Sequence, residues 1–140
     1  MAEMRDIEFR AWDIITQRHY AVCGLDFNDD GKLSEVYLSG IQIDESNPNA
    51  NVRKPSDVIL EQYTGFKDKN GKEIYEGDVV NIQGIKYYVD FEHGGFWFNN
   101  DNRKWKANRP FTHFQEINDT EVIGNIHENK EIFEEEDAGN

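Results

Sequence analysis

The sequence predicts a mainly β protein: a small curved sheet or barrel, an additional N-terminal β unit before it, and a short helix. Three observations carry that prediction. Bulky and polar residues alternate at period two, the signature of half-buried strands. Such runs recur at spacings of roughly eight to twelve residues with Gly-bearing turns between them, as in small barrels and strongly curved sheets. Nine Phe, six Tyr and three Trp stand against a mean hydropathy of -0.82, which suits a compact aromatic core wrapped in polar loops.

Each element follows in order. IEFRAWD (residues 7–13) places Ile7, Phe9 and Ala11 on one side and Glu8, Arg10 and Trp12 on the other. HYAVCGLDF (19–27) is a second strand, able to pair with the first around the Ile15–Arg18 connection. Asp29-Asp30-Gly31 is a turn, and LSEVYLSGIQI continues with β-favouring residues. Residues 44–56, with Pro48 and Pro55, form a long surface loop expected to fray. DVILEQYTG fits a strand better than a helix capped by Ser56. DKNG (68–71) separates QYTGF from KEIYEG, and Asn70-Gly71 is expected to supply two left-handed positions of a tight hairpin. Gly77-Asp78, Gly84 and Gly94-Gly95 then punctuate three further strands, DVVNI, IKYYVDFE and FWF. Pro110 suits the first turn of a short helix over RPFTHFQEIN, and EVIGNIHEN reads as a closing strand. The organisation is therefore an N-terminal β unit over 1–62, a β barrel over 63–127 and an acidic tail over 128–140.

The formal net charge of −13 is unevenly spread. Residues 1–62 hold 12 acids and 6 bases, 63–127 hold 10 and 8, and the tail holds 6 and 1. Such a chain repels nucleic acid and anionic membranes at long range. The only basic cluster is Arg103, Lys104, Lys106 and Arg109 around Trp105, diluted by five Asn and Asp residues between Asn99 and Asn108. A solvated loop explains it better than a phosphate-binding patch. Cys23 stands alone, which excludes an intrachain disulfide, indicates a reducing compartment and predicts an inert buried thiol. No run of eighteen apolar residues occurs, and MAEMRDIEFR lacks a signal-length apolar stretch, so a soluble intracellular protein is expected.

Motifs for chemistry fail on inspection. QYTGFKDKNGKE is no phosphate loop, because Gly71-Lys72 is followed by Glu73 where a hydroxyl must hold magnesium. Asp26, Asn28, Asp30 and Gly31 open like a calcium loop, yet Tyr37 occupies the twelfth position, which requires a bidentate Glu. An acidic hairpin turn is the better reading. His19, His93, His113 and His127 lie 74, 20 and 14 residues apart, without metal-ligand spacing. Glu92-His93 beside Gly94-Gly95 is the best acid–base candidate, against the plainer alternative of a solvated turn histidine. No catalytic, cofactor-binding or metal residue is assigned, and no cofactor is expected. Around FWF, alternation separates Tyr87 from Tyr88 and Trp97 from Phe96 and Phe98. One face fills the core, leaving Tyr88 and Trp97 to be covered by another unit or subunit. Self-association through the face of Tyr88 and Trp97 is the expectation, and Trp12, Tyr88, Trp97 and Trp105 are the candidate interface residues.

IEFRAWD, QYTGFKDKNGKEIYEGDVV, GGFW and EVIGNIHEN, in that order and spacing, resemble the YopX family of phage and prophage proteins. The resemblance spans nearly the whole chain apart from the 44–56 loop. It implies a mostly β fold with an SH3-like later half, oligomers, and residence in the bacterial host cytoplasm. It brings no established activity and no catalytic residues. The residues that carry it, Gly65, Asn70, Gly71, Gly77, Asp78, Gly94 and Gly95, are mostly ones a backbone needs for turns. The functional expectation is a non-enzymatic binding or adaptor protein that self-associates and engages a host or phage protein. The alternatives are a nucleic-acid-binding accessory protein using Trp105 and the nearby bases, or an acidic DNA mimic acting on a host enzyme.

Overall fold

The computed structural model describes residues 5–100, 107–110 and 119–129, with backbone alone for 107–110. Among the described residues eleven strands form: β1 (Phe9–Asp13), β2 (Arg18–Phe27), β3 (Leu33–Leu38), β4 (Val52–Arg53), β5 (Val58–Lys67), β6 (Glu73–Tyr75), β7 (Asp78–Ile82), β8 (Ile85–Glu92), β9 (Gly95–Asn100), β10 (Ala107–Pro110) and β11 (Thr120–Asn125). The chain divides into two compact units, one over Ile7–Gln62 and one from Tyr63 onward that also includes Arg5 and Asp6.

In the N-terminal unit the pairing order is β4-β3-β2-β1-β5, all antiparallel. Ala11, Val36, Leu38 and Val58 are its buried core, with Tyr20 and Leu60 packed against them. The 44–56 loop, expected to fray, is held by Asn51, whose Nδ2 donates to the Leu38 carbonyl (3.3 Å), and by Arg53. Arg53 donates from Nε and Nη2 to the two oxygens of the fully buried Asp13 (2.8 and 3.2 Å) and from Nη1 to the carbonyls of Ala50 and Val52. Burial alone would push the Asp13 carboxyl up, but the Arg53 and Thr16 hydrogen bonds outweigh it and hold it below the ordinary range. Cys23, expected to be buried, is exposed, because it alternates with the inward Val22 on β2.

β5 runs past Gln62 into the C-terminal unit, where its far half pairs β6. The second sheet there has the order β10-β9-β8-β7-β11. Ile74, Val80, Ile82, Tyr87, Val89 and Phe98 make its core, each full burial contributing roughly 2 kcal/mol. The barrel expected over 63–127, SH3-like by resemblance, is not formed: among the described residues the terminal strands β10 and β11 do not pair, and the sheet stays open. The edge of β11 is covered by a different device. Lys69 N–H donates to the Thr120 carbonyl (2.9 Å), and Asp68 Oδ2 accepts from Val122 N–H (2.9 Å), so a turn occupies backbone groups that barrel closure would have paired. The expected short helix is also absent from the described residues, whose single helical element is a 3-10 turn at Pro55–Asp57. Pro110 ends β10 instead, and residues 111–118 lie outside the described ones.

The segment QYTGFKDKNGKEIYEGDVV can be explained bond by bond. Thr64 hydroxyl donates to the Ile74 carbonyl (2.7 Å) and accepts from Phe66 N–H (3.2 Å), bridging the register shift in β5 at the left-handed Gly65. Asp68 Oδ1 accepts from the N–H groups of Asn70 and Lys72, both at 2.9 Å. Only Gly71 takes a positive φ (84°); Asn70 does not, so this is a five-residue turn with one left-handed position. Asp78, 2 % exposed, accepts from Tyr75 N–H (2.8 Å) across the left-handed Gly77.

Candidate interaction face

The β8–β9 hairpin is closed by a two-residue turn in which both His93 (φ 51°) and Gly94 (φ 78°) are left-handed, matching the twist of the strands it joins. Alternation assigns the two faces. Tyr87, Val89 and Phe98 point into the core, and Phe91 and Phe96, directly opposite each other, extend that face towards the turn. Their rings meet edge-on at 5.2 Å, yet Phe91 remains 49 % exposed. On the other face Tyr88 lies opposite Asn99, and Asp90 opposite Trp97. Trp97 indole N–H donates to the Glu92 carbonyl (2.8 Å) and its ring meets His93 at 6.1 Å. The hairpin therefore carries aromatic surface on both sides.

Beside Trp97 lies a polar cluster the sequence reading passed over. Asn99 is 4 % exposed, and its Nδ2 donates to Asp90 Oδ2 (3.2 Å) and Glu92 Oε1 (3.4 Å). Its Oδ1 is buried and accepts no hydrogen bond among the described residues. Asp90 and Glu92 share a face because they are two apart on one strand, and Asn99 reaches them from the next strand. Strand alternation could have paired Asp90 with Glu92; the register that brings Asn99 to them could not be read from composition.

The sequence-predicted residues divide clearly. Tyr88 and Trp97 do share one partly exposed face, as alternation required. Trp12 is only 7 % exposed and packs edge-on against His19 at 5.0 Å, in the N-terminal unit. His19 in turn meets Glu61 at 2.8 Å, and Arg10 Nε donates to the same carboxylate oxygen at 3.0 Å. Trp12 therefore fills structure rather than offering surface. Trp105 with Arg103, Lys104 and Lys106, as well as His113 and the tail from Lys130, lie outside the described residues, and of Arg109 only the backbone is described. Glu92 and His93 make no hydrogen bond to each other, Glu92 being directed to Asn99. The calcium-like stretch is a hairpin turn, with Asp26 accepting from the hydroxyl of Tyr37 (2.6 Å).

The family model described as YopX protein matches residues 8–134, the greater part of the chain. The chain belongs to the YopX family. In this YopX protein the segment over residues 62–80 is a succession of hydrogen-bonded turns, with Asp68 and Asp78 as acceptors of backbone N–H groups. Among solved structures, protein EF1440 from Enterococcus faecalis is similar at 24% identity, covering 93% of this chain and 99% of that one, with a TM-score of 0.66. That likeness establishes a shared fold. No match was found among curated proteins.

Proposed function

We propose that this YopX protein is a non-enzymatic, protein-binding adaptor that self-associates, acting in the cytoplasm of a phage-bearing bacterial host. The observation that carries the reading is the β8–β9 hairpin, with Phe91 half-exposed on one side and Trp97 and Tyr88 partly exposed on the other. Rigid aromatics with little rotamer entropy to lose are the residues that dominate protein interfaces. The charge of −13 favours a neutral or basic protein surface over nucleic acid as the partner. Among the described residues no helix is long and apolar enough to cross a membrane. The side chains considered for acid–base work are engaged in local structure, which supports a binding role rather than catalysis.

Light scattering over the micromolar range tests self-association. The wild type should have the mass of more than one chain, and Phe91→Ser combined with Trp97→Ser should shift it towards the monomer. A monomeric wild type throughout that range would remove the self-association. Affinity purification from nuclease-treated lysate of the host, followed by mass spectrometry, then tests the adaptor role: one stoichiometric host or phage protein, lost with the double variant, supports it. Recovery only when nuclease is omitted would point to nucleic acid instead.

A further inference from the structure

We infer that Asn70 is a self-modifying site: its side chain cyclises onto the Gly71 backbone nitrogen, water opens the ring, and the lengthened product unfastens the edge of β11. The inference stands apart from the proposed self-association. Asn70-Gly71 is the one Asn-Gly pair in the sequence. Glycine is the neighbour that favours ring closure, because no Cβ crowds the attacking nitrogen and its backbone reaches conformations closed to other residues. Asn70 is exposed, and its carboxamide makes no hydrogen bond among the described residues; only its backbone N–H is engaged, by Asp68 Oδ1. Gly71 faces open space. Asn47 and Asn49 are also exposed, but Pro48 has no N–H to give up and Ala50 carries a Cβ. Asp30-Gly31 has the glycine, yet an ionised carboxylate resists nucleophilic attack.

The step balances without any cofactor. The Gly71 nitrogen bonds to Asn70 Cγ, the Cγ–Nδ2 bond breaks, and ammonia leaves carrying the Gly71 proton. A five-membered succinimide remains. Water added at Cγ gives aspartate at position 70 on the original backbone. Water added at the main-chain carbonyl gives isoaspartate, whose backbone runs through the side chain and is longer by one methylene. Gly71 N–H donates to the Asp68 carbonyl (3.0 Å), so the folded turn reacts through its locally open form.

Position decides the consequence. The added methylene falls inside the ring closed by Asp68 N–H to the Lys72 carbonyl (2.8 Å) and by Lys72 N–H to Asp68 Oδ1 (2.9 Å). Those bonds cannot keep their geometry around a longer chain. The same turn holds β11, through Asp68 Oδ2 to Val122 N–H and Lys69 N–H to the Thr120 carbonyl. Isoaspartate therefore loosens the sheet edge, whereas aspartate adds only an exposed charge.

The full-length protein is held for days in mildly alkaline buffer and mapped by electron-transfer fragmentation, which separates the two isomers. Position 70 should gain about one dalton at least about tenfold faster than Asn49, with isoaspartate among the products. In the chromatographically isolated isoaspartyl fraction, Val122 should lose at least about tenfold more amide protection than Val80. Freshly prepared Asn70→Asp, which reproduces the charge alone, should keep wild-type protection at Val122. Conversion no faster than at Asn49, or confined to urea-unfolded protein, would overturn the site. An isoaspartyl fraction with Val122 protection unchanged, or a loss matched by Asn70→Asp, would overturn the unfastening.

Discussion

Two turns in this molecule close the same hydrogen-bonded ring and do different work. In the N-terminal unit, Asn28 N–H donates to the Lys32 carbonyl (2.7 Å) and Gly31 N–H to the Asn28 carbonyl (2.8 Å). In the C-terminal unit, Asp68 N–H donates to Lys72 (2.8 Å) and Gly71 N–H to Asp68 (3.0 Å). The glycines even share a φ of 84°. The difference is the first side chain. Asn28 is exposed, whereas Asp68 is 7 % exposed and accepts from three backbone N–H groups, one of them 54 residues away on β11. One turn reverses the chain; the other also fastens a sheet edge. The same local chemistry becomes a tertiary anchor only when its carboxylate finds a distant donor.

The largest expected break in that comparison is Asp68→Ala. Stripping the acceptor from three N–H groups should cost about 3 kcal/mol in chemical denaturation, against below about 1 kcal/mol for Asn28→Ala. Exchanging the residues sharpens it. Asp68→Asn keeps one acceptor oxygen but turns an amide N–H towards a donor, and should cost about 2 kcal/mol; Asn28→Asp should stay within about 0.5 kcal/mol.

Acid supplies a third, smaller test. Burial raises the Asp68 carboxyl, but the backbone donors Val122, Lys72 and Asn70, with the Lys72 charge, pull it below its ordinary 3.8. A lowered native value means the stabilisation is complete above the unfolded value and is lost as pH falls through the native one. Tm followed from about pH 6 down to about pH 2 should therefore fall more steeply in wild type than in Asp68→Asn, while Asn28→Ala should keep the wild-type slope. Smallest is the glycine pair. Gly31 and Gly71 both face open space, so Gly31→Ala and Gly71→Ala carry the left-handed penalty alone and should each cost about 1 kcal/mol, equally in the two units.

Much of the local structure was legible because turns and alternation are local. Asn70-Gly71, Gly77-Asp78 and Gly94-Gly95 announced reversals, and alternation in IKYYVDFE separated Tyr87 from Tyr88. What depended on distant partners was not legible. Nothing in DKNG says that Asp68 reaches Val122, and without that bond barrel closure was the natural way to cover a strand edge. Trp12 could serve as core or as contact on sequence grounds alone, and His19 lies against it from the neighbouring strand. Alternation puts Asp90 and Glu92 on one face, but that Asn99 joins them depends on the β8–β9 register.

The most direct test of the edge anchor is amide hydrogen exchange at Val122 in wild type and Asp68→Asn, compared with Val80 on the paired strand β7. The account predicts that Val122 loses at least about tenfold more protection than Val80, because its N–H loses the Asp68 carboxylate acceptor. Equal loss at both positions would mean that the variant merely lowers global stability, and that the Asp68 carboxylate does not hold the edge of β11.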